Sequence, residues 1–260
     1  MDQLSRLHRP YYRNGPPHRD GADVSFADVR KLFSFRSIQI GRWVTAQEQQ
    51  LAANLFFDAL CDLMDILQVP EQVISLNGTL ALAFGTGGQK YSAAHYAPGQ
   101  RMLAMAKNAG GGALAHEWFH AFDHYICTRM YADCSADLFA SQAFLQDKVL
   151  VPHPLNQRLQ QCFQYLFVAD DGEQPTPYVM NSAKADKVLG AFYYAQPQEM
   201  AARAFEAVVQ DNPRKNAFLV QGTKQSTEAN IGIYPKGQHL ARLTQAFHRY
   251  FVALGDALDG

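Results

Sequence analysis

Two histidines four residues apart, with a glutamate directly after the first, limit what this chain can fold into more than anything else in it. The pentad His116-Glu117-Trp118-Phe119-His120 reads HExxH. On a helix, a spacing of four puts both imidazoles on one face, one turn apart. The pentad is therefore chemically useful only if its segment is helical. The flanking residues agree: Leu114, Trp118, Phe122 and Ile126 recur at helical spacing and predict an amphipathic helix over 113–126. Two neutral imidazoles so placed can hold one zinc ion. Glu117, offset around the helix, reaches a water at such an ion and can pass its proton to a leaving amine. Chance alone produces HExxH in about one chain of this composition in a hundred. Its place on a well-patterned helix that follows a set of strands separates it from two surface histidines on an ordinary helix.

Tetrahedral zinc needs a third protein ligand and leaves one position for water. The chain has seven glutamates, and four follow the pentad: Glu173, Glu199, Glu206 and Glu228. Glu173 and Glu228 stand in loop-like stretches. Glu199 and Glu206 share one predicted helix, seven residues apart, on the same face but about 10 Å apart along it, so only one of them can reach the metal. Glu199, in the first turn, is the expected ligand, and Glu206 an outer-shell or salt-bridging residue. Asp123 is the alternative, three residues past His120. Its short side chain on the same rigid helix reaches a third tetrahedral corner poorly and suits a hydrogen bond to a ligating histidine better. Asp123 also occupies the Gly place, and Ile126 the third-ligand place, of HExxHxxGxxH/D, which excludes that form of the motif.

A developing oxyanion gains from a second electrophile. Tyr193 and Tyr194, five and six residues before Glu199, are the candidates, with Tyr234 a third; core aromatics with bonded hydroxyls are the alternative. His95 is a cleft-lining candidate, whereas His124 reads as a packed or surface histidine. The cysteines, Cys61, Cys127, Cys134 and Cys162, include no CxxC pair, and they read as buried thiols rather than a zinc knuckle or a disulfide framework.

The rest of the chain predicts an α+β protein. Residues 8–21, rich in Pro, Arg and Gly, read as an extended, poorly ordered arm. FRSIQI (35–40) reads as a strand. Thr45 and Glu48 form a capping-box signature before an amphipathic helix through Leu51, Leu55, Leu60, Leu63 and Leu67 that stops before Pro70. Four short strand-like pieces follow, at 73–76, 79–84, 92–96 and 101–106. Gly110-Gly111-Gly112 then provide a turn or a close approach of backbone to substrate. The second half predicts helices over 135–147, 155–167, 197–210 and 236–254, with a long loop from 212 to 232. No linker or repeat divides it. The expected organisation is a flexible arm over 1–22 and one domain over 23–260, with a cleft between an upper lobe (about 23–127) and a lower lobe (about 128–260).

A formal net charge of −1 without like-charge blocks argues against a dedicated nucleic-acid binder. No apolar run is long enough to cross a bilayer, and Met1–Asp20 has four arginines and no secretory signal pattern. A cytoplasmic protein with no membrane partner is expected.

Taken together, DVRKLFSFRSIQIGRW, LNGTLALAFGTGG, AHYAPGQRMLAMAKNAGGGALAHEWFHAFDHY and YYAQPQEMAARAFE resemble the zincin-like metallopeptidase domain of large polyvalent proteins of phages and conjugative elements. Related stand-alone bacterial proteins are named for similarity to calcium-activated chloride channel regulators. The resemblance runs from about Asp28 to the C-terminus. More distantly, HEWFHAFDHY and QEMAARAFE are similar to the two helices of anthrax-lethal-factor-like peptidases. There, a later E-x-x-A-x-A-F helix supplies the glutamate ligand, which falls here on Glu199 and not on Glu206. A tyrosine shortly before that glutamate stabilises the oxyanion; its matching place lies close to Phe192, next to Tyr193. The resemblance implies a zincin-like fold, with a mixed sheet and the HExxH helix in the upper lobe and a mostly helical lower lobe. The sheet's edge strand, expected at 92–96, would pair with extended substrate.

The expected function is a bacterial, gluzincin-like zinc metalloendopeptidase. His116, His120 and Glu199 hold Zn2+, Glu117 is the general base, and a peptide or protein is the substrate. The alternatives are a zincin-fold binding or regulatory module that does not cleave, and a mobile-element or defence protein that cuts one specific partner.

Overall fold

A computed structural model describes residues 6–86, 94–107 and 111–259. Ser92 and Ala93 of the expected strand and Gly110 of the glycine triplet lie outside the described residues. The chain divides into two compact units, Met1–Ala121 with Asn212–Gln221 and Phe122–Asp211 with Gly222–Gly260.

The first unit is built on a short helix α1 (Phe26–Phe33), strand β1 (Ile38–Ile40), the long helix α2 (Ala46–Leu67) and the four-residue helix α3 (Glu71–Ile74). Strands β2 (Ala81–Phe84), β3 (Ala94–Ala97) and β4 (Met102–Met105) follow, then the helix α4 (Leu114–Met130), whose first half belongs to this unit. The start of α2 is the predicted capping box: the Thr45 amide donates to Glu48 Oε2 at 2.9 Å and the Glu48 amide to Thr45 Oγ1 at 3.2 Å. Its end is a left-handed Gln68 just before Val69-Pro70, where the ring of Pro70 forbids a further turn.

The sheet has strand order β1-β2-β4-β3, with β1, β2 and β4 parallel and β3 antiparallel to β4. The central strand β2 is buried along its whole length, which explains an unbroken apolar run where alternation would mark a half-exposed strand. Among the described residues β3 is an edge strand, as the sequence predicted for this segment.

Residues 73–76 are not a strand. Val73 and Ile74 end α3, and the chain then reverses through Leu76, Asn77 and Gly78, all with positive φ. A buried four-residue apolar run has no periodicity to tell strand from helix, and the Pro70-Glu71 start signal decides it.

The second unit holds the rest of α4 and helices α5 (Ala140–Leu145), α6 (Pro154–Phe167), α7 (Pro177–Leu189), α8 (Pro197–Asp211), α9 (Thr227–Asn230) and α10 (Gly237–Asp259). Its core stacks aromatics from several of these, including Phe122 with Phe251 (5.3 Å between centroids) and Phe205 with Phe247 (6.0 Å). Three helices depart from expectation, the four-residue α9 by standing inside the predicted loop of 212–232. The one predicted over 135–147 shrinks to α5, because residues before Ala140 form turns and Asp147 is left-handed. Helix α7 is additional; its signals are the Thr176 cap, whose Oγ1 accepts from the Val179 amide at 3.3 Å, Pro177 in the first turn, and left-handed Gly190 at the stop. The protein is thus a mixed α+β protein with a small mixed sheet. No helix among the described residues is long and apolar enough to cross a membrane.

The N-terminal arm is anchored rather than solvated over its described part. Residues 12–14 pair with 215–217, by the bonds Ala217 N to Tyr12 O at 2.9 Å and Asn14 N to Lys215 O at 3.1 Å. Arg13 grips the buried Asp62 of α2 with two bonds, 2.6 and 2.8 Å. Gly15 lets the chain pass: a Cβ there would stand 2.6 Å from Asp62 Oδ1. An arginine-rich, proline-rich stretch reads as a tail until its acidic partner, far along the chain, is known.

Candidate metal centre

The N-terminus of α4 is fixed by residues 216–219. Gly112 N, just before the helix, donates to Phe218 O at 2.8 Å, and Ala115 N, one of the amides that a helix start leaves open, to Leu219 O at 3.0 Å. A Cβ on Gly111 would lie 2.6 Å from the Cα of Phe218, so that glycine serves a close approach to the protein's own backbone. Of the predicted apolar stripe, Leu114, Trp118 and Phe122 are buried and Ile126 is half-buried. Trp118 Nε1 donates to Ile74 O at 3.0 Å, which sets the rotation of α4 and hence the direction of the pentad.

His116 is half-buried and His120 buried; their Nε2 atoms are 3.0 Å apart and their rings are near-perpendicular. His116 and His120 thus offer two adjacent nitrogen donors on one face of α4, and Glu199, the expected third ligand, stands in the first turn of α8. Glu117 is half-buried on the same turn as the histidines.

Asp123 points elsewhere. It is fully buried, and its two oxygens accept from the Ser141 amide (2.9 Å) and hydroxyl (2.6 Å). Burial pushes its carboxyl up to about 7 against the pull of those bonds. Through the Ser141 amide it caps α5. Glu206, also buried, accepts from the Tyr234 hydroxyl at 3.3 Å. Burial and that neighbouring carboxylate push the Tyr234 phenol up. His124 Nε2 meets Ala136 O at 2.6 Å and is a packed histidine, as expected; His95 pairs with Ala104 in the sheet.

Tyr193 and Tyr194 stand in the turn that leads into α8, Tyr193 about half exposed. Sequence reasoning missed the two charged residues that hold this turn. Asp186 accepts from the amides of Tyr193 (3.1 Å), Tyr194 (2.8 Å) and Ala195 (2.8 Å). Burial alone would raise its carboxyl, but these bonds and Arg203 outweigh it and hold it below the usual range. From α8, Arg203 donates to Tyr194 O and, at 3.3 Å, to Ile233 O. The one available signal for Arg203 is its place four residues after Glu199.

Among the described residues a second group, His18, Asp62 and Asp65, has suitable spacing for a metal. Arg13 and Arg214 already bring their cations against Asp62, at 2.6 and 3.5 Å, so a metal there would meet positive charge. The thiols are free; burial pushes Cys61 up to about 12 and raises Cys127 and Cys162 as well, so these three are not ready thiolate ligands.

Residues 185–258 match the family described as large polyvalent protein-associated domain 1. The matched stretch includes Glu199, Arg203 and Glu206 and leaves the HExxH pentad outside it. No curated protein and no solved structure matches the chain.

Proposed function

We propose that this chain is a zinc-dependent metalloendopeptidase of the zincin type, with glutamate as third ligand. The observation that carries this reading is the pair of imidazoles that α4 presents on one face, with Glu117 on the same turn. Two imidazole nitrogens and a carboxylate oxygen are a donor set suited to zinc. The two Nε2 atoms, 3.0 Å apart, are close to the roughly 3.3 Å that two nitrogens take on one tetrahedral zinc.

Zinc, when bound by these residues, would supply the Lewis-acid charge that makes water a nucleophile near neutral pH. The chain's own part is proton handling and orientation. Glu117, beside His116, accepts the proton as water oxygen attacks the peptide carbonyl, and returns it to the amine as the C–N bond breaks. A hydroxyl of Tyr193 or Tyr194 donates to the oxygen that becomes negative. The edge strand β3 offers main-chain groups to an extended peptide. The match to a domain of large polyvalent proteins supports a mobile-element setting without naming a substrate.

The decisive variant is Glu117→Gln. It leaves the three ligands untouched and removes only the proton acceptor. Zinc content and proteome-wide cleavage are measured on one preparation. A peptidase loses cleavage by orders of magnitude with zinc retained. Equal cleavage or biological effect with zinc intact would defeat the catalytic reading and leave a zincin-like binding module.

A further inference from the structure

Arg203 is a permanent cation placed one helical turn after the proposed glutamate ligand. It is 3% exposed, and its Nη1 lies 3.7 Å from Glu199 Oε2. The guanidinium does not swing away, because Nη2 donates to Tyr194 O and Nε to Ile233 O. A guanidinium also stays protonated in proteins, so the charge is permanent.

The separation of 3.7 Å is too long for a directional hydrogen bond, so Arg203 acts on Glu199 through charge. The position of Glu199 itself has another source. Met200, Ala201, Ala202, Ala204 and Phe205 are all buried and seat α8 independently of Arg203. Changing Arg203 to a neutral residue therefore removes a positive charge beside the ligand carboxylate while leaving the helix that presents it in place. In a buried setting such a charge is poorly screened.

We propose that Arg203 is an affinity-setting residue, which holds the His116–His120–Glu199 group to weaker, exchangeable metal binding. The inference rests on the zinc reading above. It ties loading of the site to metal supply: the carboxylate is shared between a resident cation and an incoming one.

The test measures zinc dissociation constants of the parent, Arg203→Gln, Arg203→Met and Arg203→Lys by competition with a chromophoric chelator. Thermal unfolding in excess chelator checks that each variant is folded. The neutral variants are expected to bind zinc at least roughly tenfold tighter, and Arg203→Lys, which keeps the charge, to stay within roughly threefold of the parent. Unchanged or weaker binding in folded neutral variants overturns the proposal. Tightening by the lysine variant equal to that of the neutral ones also overturns it, since charge would then not be the cause. If neither neutral variant folds, Arg203 is a structural requirement and the proposal falls. A parent that binds no zinc, or a Glu199→Ala variant that binds like the parent, would instead sink the zinc reading itself.

Discussion

Arg13→Ala tests the anchoring of the N-terminal segment most directly. The Asp62 side chain is wholly buried, and four groups face it: Arg13 by two bonds of 2.6 and 2.8 Å, Asn216 at 2.8 Å, His18 at 2.9 Å and Arg214 at 3.5 Å. Breaking a buried ion pair by removing one partner costs about 3–5 kcal/mol, because the other charge is left behind. Here the cost is smaller: Asn216 and His18 still bond the carboxylate, and the Arg13 side chain is 19% exposed, so solvent already screens it in part. We expect a loss of about 2–3 kcal/mol. Arg13→Lys should restore less than half of it, since an ammonium cannot make the paired contact. Urea unfolding at pH 7 reads both. The Asp62 carboxyl also has a pH signature. Burial would raise it, but Arg13, Asn216 and His18 together hold it below its usual value. Its stabilising effect is therefore present above the ordinary carboxylate range and lost as pH falls through the depressed folded value. In Arg13→Ala the folded value moves back up towards the ordinary one, so that acid-side loss should be smaller and complete at a higher pH. A cost under about 0.5 kcal/mol, against the 3–5 expected of an uncompensated buried charge, would refute the account of residues 12–18 as part of the fold.

Asp123, whose folded pKa of about 7 lies above the unfolded value, contributes stability at acid pH that is lost as pH rises towards 7. Measured in chelator, the fall in stability from pH 5 to pH 8 should flatten in Asp123→Asn; an unchanged slope would mean that another group titrates. Glu199→Ala should weaken zinc binding far more than Glu206→Ala, read by chelator competition, and a reversed order would mean the wrong glutamate was assigned. Tyr193→Phe or Tyr194→Phe should lower turnover on the order of 100-fold with zinc retained; if neither does, Tyr234 or a main-chain donor takes the role.

What was legible in the sequence is what a single element enforces on itself. The capping box of Thr45 and Glu48, the stop at Pro70 and the HExxH helix depend on residues within a few positions of one another, and each stands where its pattern puts it. The errors fall where a distant partner decides. Residues 73–76 are apolar because they are buried, and burial alone does not choose between helix and strand. The arm over 8–21 looks solvated because its partners, Asp62 and residues 215–217, lie some 50 and 200 positions away along the chain. Helix α7 is hard to read from sequence although Thr176-Pro177 and Gly190 mark both its ends, because its interior is weakly amphipathic, with exposed Met180, Val188 and Leu189 among its apolar residues.

The site divides along the same line. His116, Glu117 and His120 are related by helical geometry alone, so reading one helix yields all three. Choosing between Glu199 and Glu206 needs depth and partners as well, because both face the same way on α8. Glu206 lies deeper and already accepts the Tyr234 hydroxyl, whereas Glu199 stands in the first turn with Arg203 beside it. Arg203 shows how far burial changes a familiar pattern. Glutamate and arginine four apart on a helix read as a surface pair worth about 0.3–0.5 kcal/mol. At 3% exposure, with two main-chain carbonyls holding the guanidinium, the same spacing becomes a fixed charge on a candidate metal ligand. Nothing in the spacing distinguishes these two cases. Only the surrounding apolar residues of α8, together with Tyr194 and Ile233 brought in from either side in sequence, turn a routine ion pair into a determinant of the site's electrostatics.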